Sequence, residues 1–414
     1  MSGEATVMTI PDLKPHFGVL DDVRVVYSAM ELAVPKAASL MADWGADVTW
    51  LENTGAGDTI RDTPWIKEAE RRNQRSVALD FFSEEGREVL LRMLGQADVF
   101  IESSKGGTWA KRGLTDEVLR RDNPELVVVH VSGFGQTGLP EMVTRAAYDL
   151  TVMAYSGYMS QNGTPEQPMN PGPYAGDYFN SLMILGSTLA ALHRVDRTGA
   201  GESIDVAMYE TLLSIGQYYL VDYLNAGIVW PRPGPRNQNL CAIGEYRCSD
   251  GFIGLCVYGV PQNKYLLETI GLGHLWGSGD YPEDCSALWL SSSHAGEIEA
   301  ALEAWLATRT VAEVEQDFSA HRIAAQKVME FTDLVAEPHL EARGVWQDWQ
   351  AADGRTFKGL GVFPKFGRDP GQVWRPMPEQ GYDTAAVLSR LGYSPDEIAA
   401  LAEAGTVKIV EVEA

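Results

Sequence analysis

The sequence predicts an α/β protein whose large domain contains a Rossmann-like parallel sheet. An apolar run at 23–28 (VRVVYS) predicts a buried strand, a helix follows to about Trp44, and 47–53 (DVTWLEN) predicts the next strand. A strand–helix–strand succession of this kind forms parallel sheets that are covered by helices. Because 414 residues exceed one ordinary core, we also expect a second, smaller α+β domain.

The elements that follow are predicted from apolar runs and their flanking turn residues. Ser83 is a good N-cap for a helix that runs to about Leu94. Two later stretches, 346–350 and 357–362, are candidate strands, and the chain ends near the capped helix SPDEIAALAEAG. Further strands are expected at 77–81, 98–102 and 126–131, with a strand-to-helix unit at 203–227.

Domain boundaries are predicted from composition. Residues 228–239 are rich in Pro, Arg and Asn and predict a linker. After it, two β-type runs around Ser-Asp-Gly predict a hairpin at the start of a small α+β domain, 240–330. Because a mixed α/β pattern returns at 331–414, we expect the large domain to combine 1–227 with 331–414.

Composition and charge narrow the classes of partner. The formal net charge of −24 argues against nucleic acid and anionic membranes, and no apolar run approaches the roughly 20 residues of a membrane span. The N-terminus shows no basic-then-apolar signal pattern, so we expect a cytoplasmic protein. The four cysteines are not spaced as a zinc site or a redox pair, so we expect no metal and buried, reduced thiols: Cys241, Cys248, Cys256 and Cys285.

The loop after the first strand bears on dinucleotide binding. Glu52 ends the second strand, where the ribose-binding acid of a dinucleotide site would stand. The first turn, YSAMELAVP, lacks the glycine fingerprint of such a site. We therefore expect neither a nicotinamide nor a flavin cofactor.

Two clusters of basic residues interrupt this acidic chain. The first surrounds a polar loop, for which a solvated surface is the simplest interpretation: Arg61, Arg71, Arg72 and Arg75. The second follows the strand at 98–102, where Lys105, Lys111 and Arg112 stand beside two glycines. A strand, a glycine turn and a basic helix start favour phosphate binding, although a solvent-facing turn fits the same pattern.

One carboxylate opens the helical segment at 172–194, GPYAGDYFNSLMILGSTLAALHR. Asp177 stands near the predicted helix N-terminus, beside a glycine that gives a ligand room. It is either the N-cap of this helix or a carboxylate nucleophile that faces a cleft. Leucines recur at three- and four-residue steps and predict one apolar helix face: Leu182, Leu185, Leu189 and Leu192.

Short motifs run in order along nearly the whole chain: WGADVTWLEN, RRNQRSVALDF, IESSKG, AKRGLTDEVL, HVSGFGQTG, PYAGDYF, GESIDVAMYE and PKFGRDPGQVWR. Together they resemble the class III CoA-transferase family of the CaiB/BaiF type. The resemblance implies an enzyme that moves coenzyme A, bound as acyl-CoA, between carboxylic acids. It also implies an interlocked homodimer. The family typically has Gly-Pro after the first strand, where this chain has Val34-Pro35.

The resemblance assigns roles to individual residues. Asp177 matches the family's nucleophilic aspartate, which stands in a Gly-Asp or Ala-Asp pair at a helix start. Lys105 and Arg112 match residues that hold coenzyme A. The loop 30–33 and the turn 132–134 match segments that are expected to line the same site. The chemistry suits an aspartate, because only Asp or Glu can carry the covalent intermediates that conserve acyl energy away from water.

The branch of the family that the chain resembles most acts on L-carnitine, with γ-butyrobetainyl-CoA or crotonobetainyl-CoA as the CoA donor. A betaine carries a fixed positive charge, which aromatic faces or a carboxylate can bind. We expect Glu31 to bind the trimethylammonium group, together with one of three tyrosines: Tyr148, Tyr155 or Tyr158. A solvated or capping glutamate is the alternative.

Three other functions stay open at this stage. Transfer of CoA to another acid, such as formate, oxalate or an aromatic acid, requires the same residues. An α-methylacyl-CoA racemase of this fold requires a His-Asp pair, and the matching dipeptide here, Tyr148-Asp149, disfavours racemisation. A non-catalytic acyl-CoA-binding protein would lack the nucleophile, whereas Asp177 is present.

Overall fold

The structure is a computed structural model that describes residues 14–410. The strands in this range are β1 (Arg24–Ser28), β2 (Asp47–Glu52), β3 (Gln74–Leu79), β4 (Val99–Ser103), β5 (Val127–Ser132), β6 (Ser203–Ala207), β7 (Ile243–Arg247), β8 (Phe252–Cys256), β9 (Ala324–Lys327), β10 (Trp346–Gln350), β11 (Thr356–Leu360) and β12 (Val407–Lys408).

The helices in this range are α1 (Ala33–Asp43), α2 (Ile66–Arg71), α3 (Glu84–Leu94), α4 (Thr108–Lys111), α5 (Asp116–Leu119), α6 (Pro140–Val143), α7 (Asp149–Tyr155), α8 (Ala175–Thr198), α9 (Met208–Ile215), α10 (Gln217–Ala226), α11 (Val260–Thr269), α12 (Ala295–Ala307), α13 (Val311–Ala320), α14 (Phe331–Ala336), α15 (Pro338–Ala342), α16 (Thr384–Arg390) and α17 (Pro395–Glu403).

Contacts divide the chain into two compact units. The first comprises the described residues up to Ser156, Gly172–Ile215, and the described residues from His339 onward. The second comprises Gly157–Pro171 and Gly216–Pro338. This division into compact units does not test the domain boundaries expected from the sequence. Those boundaries stay a prediction: 1–227 with 331–414, a linker at 228–239, and 240–330.

The first unit contains a seven-stranded sheet in the order β12-β3-β2-β1-β4-β5-β6. Neighbouring strands run parallel except β12, which pairs antiparallel with β3. The sheet therefore takes six strands from the N-terminal part and one from the C-terminal part, which confirms the predicted α/β fold. Chain order reverses between the neighbours β1 and β4, and open α/β sheets bind ligands at the carboxyl ends of strands at such a reversal.

The predicted strand boundaries hold within one residue for β1, β2, β4 and β5, but β3 begins three residues before the predicted Val77. Its first residues, Gln74, Arg75 and Ser76, are polar and yet buried in the sheet. An apolar pattern cannot detect such residues. Helix α3 follows its predicted start, because the Ser83 side chain accepts the Gly86 N–H.

Helix α8 buries a face that differs from the predicted one. Leu182 is 58 % exposed, and among the four predicted leucines only Leu185 is buried. The helix packs against α1, whose buried face is rich in alanine, so small side chains let the two helices approach closely. The predicted leucine face is therefore wrong, and the buried residues are Gly176, Asn180, Ser181, Ile184, Leu185, Thr188 and Ala191.

The second unit contains a three-stranded antiparallel sheet, β7-β8-β9, whose side chains share a core with α11, α12 and α13. The predicted hairpin is present, with Arg247 opposite Phe252 across a Ser-Asp-Gly turn. All four cysteines lie in this unit and are free. Cys241 and Cys248 are buried as predicted, Cys285 is half-buried, and Cys256 is exposed, so the prediction of a buried thiol is wrong for Cys256. Over residues 14–410, no helix is both long and apolar enough to cross a membrane.

Candidate active site

Asp177 lies in the first turn of α8, where its backbone is held from two sides. Tyr174, just before the helix, has a left-handed backbone conformation with φ of 53°. The Asp149 carboxylate, at the start of α7, accepts the Asp177 backbone N–H at 3.0 Å. Gly176 packs against the same carboxylate: a Cβ atom at Gly176 would lie 2.8 Å from Asp149 Oδ1. The glycine therefore permits this close approach.

The Asp177 carboxylate itself is unpartnered. Tyr174 occupies the N-cap position and Asp177 is the third helical residue, so the N-cap interpretation is wrong. Within the described residues, no group donates a hydrogen bond or forms an ion pair with its side chain. A carboxylate in the first turn of a helix, near the positive end of the helix dipole, is thus left free to react.

Two further carboxylates, Asp149 and Glu31, act electrostatically on Asp177, and we call the three side chains the Asp177 cluster. Burial, followed by the negative charges of Asp149 and Glu31, raises the pKa of Asp177 to about 7. At neutral pH this side chain is therefore divided between its acidic and its nucleophilic form. Carboxylates perturbed by both burial and specific neighbours are typical of functional sites.

A buried ion pair holds the backbone of Glu31, one member of the cluster. Its backbone φ is 61°, a left-handed conformation that strains a residue with a Cβ atom. Its N–H donates to Asp58 Oδ1 at 3.2 Å, and its carbonyl accepts from Arg71 Nη2 at 2.6 Å. Asp58 and Arg71 are themselves paired at 2.7 Å and almost fully buried. The Glu31 carboxylate accepts the Thr59 hydroxyl, and the N-cap of α1 is Leu32 rather than Glu31.

A cleft opens in the same unit at the carboxyl ends of β1, β2 and β4, next to the reversal of strand order. Because Met30 and Asp58 both line this cleft, it adjoins the backbone of Glu31. The turn 132–134 does not line it. Its lining residues are Ser28, Ala29, Met30, Trp50, Leu51, Glu52, Asn53, Gly57, Asp58, Phe81, Phe82, Ser103, Ser104, Thr108 and Trp109.

Two basic side chains stand beside this cleft. Lys105 is exposed just after β4, and in the part of the chain that the structure describes it has no acidic partner. The Arg112 guanidinium lies 3.8 Å from the ring centroid of Phe82, which lines the cleft. Arg87 donates to the backbone carbonyls of Arg112 and Gly113, which steadies this turn. Both predicted residues can therefore offer positive charge to phosphate groups.

The four arginines at 61–75 are not on a solvated surface, so that interpretation is wrong. They lie in buried or half-buried positions, and each is paired with a carboxylate: Arg61 with Glu52, Arg71 with Asp58, Arg72 with Asp43, and Arg75 with Asp47. Glu52 stands where dinucleotide sites have a ribose-binding acid. Its carboxylate accepts hydrogen bonds from Arg61 Nε at 2.7 Å and from the Ser76 hydroxyl at 2.6 Å.

The three candidate tyrosines lie in different surroundings. Tyr148 immediately precedes Asp149 and is 74 % exposed. Tyr155 packs edge-on against Phe134, with ring centroids 5.0 Å apart. Tyr158 belongs to the second unit. Tyr148 is therefore the tyrosine that stands next to the Asp177 cluster with its ring open to solvent.

Sequence reasoning missed the residues that hold the cluster in place. Asp149 enters the predictions only through the Tyr148-Asp149 dipeptide, and no role is predicted for Asp58. A signal for Asp58 exists in the motif DTIRD, where an aspartate before a short helical turn caps it by accepting the Ile60 N–H. Within residues 14–410, no group of three or more His, Cys, Asp or Glu side chains is arranged to hold a metal ion.

Comparisons with known proteins identify the family of this chain. A sequence model described as CoA-transferase family III matches residues 20–384. A CAIB/BAIF family protein from Brucella suis is 28 % identical, with a TM-score of 0.76 over 91 % of this chain and 100 % of that chain. Rv3272 from Mycobacterium tuberculosis, in its orthorhombic form, is 26 % identical, with a TM-score of 0.77 over 89 % of this chain and 99 % of that chain. An aspartate-to-alanine mutant of Rv3272 is 25 % identical, with a TM-score of 0.77 over 90 % of this chain and 99 % of that chain. The chain therefore belongs to CoA-transferase family III, whose substrates are CoA thioesters.

Proposed function

We propose that this protein transfers coenzyme A to L-carnitine from γ-butyrobetainyl-CoA or crotonobetainyl-CoA, with Asp177 as the nucleophile. The observation that carries the proposal is the unpartnered Asp177 carboxylate, raised in pKa and placed at the start of α8 in the unit that holds the cleft. Family membership gives the reaction class, and the residues of the Asp177 cluster give the proposed chemistry.

The reaction proceeds by two acyl exchanges at Asp177. The ionised carboxylate attacks the thioester carbonyl, which forms a mixed anhydride and releases CoA thiolate. The thiolate attacks the aspartyl carbonyl, which forms an aspartyl-CoA thioester and releases the donor acid. The carnitine carboxylate then attacks this thioester, which forms a second mixed anhydride and releases CoA thiolate. The thiolate finally attacks the carnitinyl carbonyl of that anhydride, which gives carnitinyl-CoA and releases the Asp177 carboxylate.

The electrostatics of Asp177 suit this role. Only its ionised form is a nucleophile, and with a pKa of about 7 a substantial fraction is ionised at neutral pH. A carboxylate that burial has partly stripped of water is also more basic and more reactive than a solvated one. Asp149 keeps the backbone of the nucleophile in place through its hydrogen bond to the Asp177 N–H.

Lys105 and Arg112 bind the phosphate groups of coenzyme A in this proposal. Both are exposed beside the cleft and lack acidic partners among the described residues, in a chain of net charge −24. Contacts to a distant part of the substrate position its thioester at the nucleophile. The aromatic rings of Phe82 and Trp109, which line the cleft, offer flat apolar surfaces beside them.

The Asp177 cluster also favours a cationic acceptor. Asp149 and Glu31 are acidic neighbours of Asp177, and a quaternary ammonium group would offset their mutual repulsion. Tyr148, exposed beside Asp149, supplies an aromatic face of the kind that binds such groups. We therefore propose Glu31 and Tyr148 as the trimethylammonium site.

A paired-acceptor assay tests this specificity. L-Carnitine is compared with 3-hydroxy-5,5-dimethylhexanoate, which replaces the ammonium nitrogen by carbon, and with formate and oxalate. In Glu31→Gln the preference for carnitine, as a ratio of kcat/KM values, should fall about tenfold. The control variant Glu85→Gln, at an exposed position of α3, should keep the ratio. Equal losses for both acceptors would remove Glu31 from this role, and a wild-type preference for formate or oxalate would overturn the carnitine assignment.

We also propose that the chain forms the interlocked homodimer that its family resemblance implies, in the cytoplasm. Helix α10 of the second unit supports self-association, because none of its residues is buried and several are large and apolar: Tyr218, Val221, Tyr223 and Leu224. Light scattering after size-exclusion chromatography should give twice the 45.4 kDa chain mass. A monomer at micromolar concentration would contradict this assembly.

A further inference from the structure

Three ionisable side chains, which we call the His130 row, have no role in the proposed reaction. His130 on β5 lies between two carboxylates: its Nδ1 is 2.7 Å from Glu102 Oε1 and its Nε2 is 2.9 Å from Asp116 Oδ1. The Glu102 side chain is 1 % exposed and that of Asp116 is 32 % exposed. The row therefore runs from the interior of the first unit to its surface.

The buried end of the His130 row reaches the cleft. Glu102 Oε2 accepts the Ser104 hydroxyl at 2.5 Å, and the Trp109 indole lies close enough to the same carboxylate to lower its pKa. Ser104 and Trp109 both line the cleft, and Ser104 directly precedes Lys105. One buried carboxylate thus holds Ser104 and lies near Trp109 in the cleft wall, next to the lysine proposed to bind phosphate.

Burial raises the pKa of the Glu102 carboxyl, and the hydrogen bond and positive charge of His130 oppose that rise. Burial alone would lower the pKa of His130, but its hydrogen bonds to Asp116 and Glu102 outweigh burial and raise that pKa to about 9. The imidazole is therefore protonated at neutral pH. The hydrogen bond from His130 in turn holds the pKa of Asp116 at about 2.

Other charged groups around the row do not replace His130. Arg120 lies 3.8 Å from Asp116 Oδ2, at the surface end of the row. Asp205, the residue of β6 in register with His130, instead accepts the Gln136 backbone N–H at 2.8 Å. The Ser203 hydroxyl donates to Asp116. Among the described residues, His130 is therefore the cation that faces Glu102.

We propose that His130 is a positioning residue for coenzyme A: its charge compensates Glu102, and Glu102 holds Ser104 and Trp109 in the shape that receives acyl-CoA. This inference rests on the proposed binding of coenzyme A in this cleft. His130 does not line the cleft, so its replacement should weaken CoA binding and spare the chemical steps.

Binding and kinetic measurements on the full chain test this role. In His130→Gln, the Kd for free CoA and the KM for acyl-CoA should each rise about tenfold, while kcat at saturating acyl-CoA and the KM for the acceptor acid stay within twofold. The control His193→Gln, at an exposed position of α8, should match wild type. A Kd for His130→Gln within twofold of wild type would overturn the inference.

A pH series gives a readout that mere loss of folding would not move. With S-methyl-CoA as a thiol-free probe, the ratio of the variant Kd to the wild-type Kd should be largest near pH 7. It should approach one as pH rises past about 9, because wild-type His130 then loses its charge. A ratio that stays constant from pH 7 to pH 10 would contradict the proposal.

Two further variants keep the test decisive. If His130→Gln does not fold, Ser104→Ala should weaken CoA binding severalfold, since it removes the hydroxyl that Glu102 holds in the cleft wall. Lys105→Ala distinguishes a failure of the proposed role of His130 from a failure of the proposed CoA site. If it weakens CoA binding while His130→Gln and Ser104→Ala do not, only the role of His130 fails. If wild type binds no CoA, or Lys105→Ala binds it unchanged, the proposed CoA site fails.

Discussion

The first unit holds two sets of buried or half-buried carboxylates with opposite surroundings. In the first set, which we call the paired set, an arginine neutralises each acid: Glu52 with Arg61, Asp43 with Arg72, Asp58 with Arg71, and Asp383 with Arg375. In the Asp177 cluster, acids neighbour acids, and within the described residues no cation is paired with Asp177.

The difference indicates which acids maintain the fold and which are available for chemistry. A buried charge with an ionic partner is a structural element, and its removal leaves the partner uncompensated. An acid that is half-buried without a partner is held there by its surroundings at a cost to stability, which is typical of functional sites. Asp58 joins the two sets, because it pairs with Arg71 and also accepts the backbone N–H of Glu31.

The largest effect is expected at the nucleophile. Asp177→Ala should reduce the steady-state rate of CoA transfer about 10⁴-fold or more, because no other group can carry the covalent intermediates. Its Kd for CoA should stay within threefold of wild type, since Lys105 and Arg112 are untouched. Turnover within tenfold of wild type would put Asp177 outside the chemistry.

The paired set should respond in stability. Arg71→Met leaves Asp58 buried without its cation and should lower the free energy of unfolding by about 3–5 kcal/mol, measured by urea denaturation. The double variant Arg71→Met/Asp58→Asn should recover part of this loss, because the uncompensated charge is gone. A single variant as stable as wild type would show that the pair is not structural.

The pH dependence of the reaction tests whether the neighbouring acids of the Asp177 cluster raise the pKa of Asp177. The logarithm of kcat/KM should fall below about pH 7, where Asp177 takes up a proton. Asp149→Asn keeps an oxygen for the Asp177 N–H but removes a negative charge, so the acid limb should move to lower pH. Glu31→Gln should move it in the same direction by less. An acid limb near pH 4 in wild type would contradict the perturbed Asp177.

The smallest effect is a gain in stability at the active site. The raised pKa of Asp177 means that the folded state favours the protonated acid, so the fold loses stability as pH rises from about 4 to above 7. Asp177→Asn should therefore raise Tm at pH 8 by about 2 °C, and by less at pH 5. A Tm that falls equally at both values would argue that Asp177 stabilises the fold.

The sequence predicted most strands of the sheet, because apolar runs and turn residues report local structure directly. It failed where polar residues are buried with partners, as at Gln74 and Arg75 in β3. The polar loop around Arg72 and Arg75 predicts surface residues. Their partners, Asp43 and Asp47, come from distant positions in the chain, which no local pattern brings together. The predicted leucine face of helix α8 is wrong for a related reason. Close packing against α1, rather than hydrophobicity, determines which face of this helix is buried.

The sequence predicted only part of the candidate site. A family motif indicated Asp177, Lys105 and Arg112, whereas the strained conformation of Glu31 depends on Arg71 and Asp58, which only the fold brings to it. The pairing of His130 could be predicted from the sequence. This histidine stands alone in the aliphatic strand LVVVHV, beside a strand that contains Glu102. Two polar residues in neighbouring buried strands predict a pair.

Trapping the covalent intermediate tests the central claim most directly. The full chain is incubated with acyl-CoA, quenched with hydroxylamine, digested and analysed by mass spectrometry. We predict a hydroxamate on Asp177 that requires acyl-CoA and is absent with free CoA alone. An unmodified Asp177 during turnover, or a hydroxamate on a different carboxylate, would contradict the account.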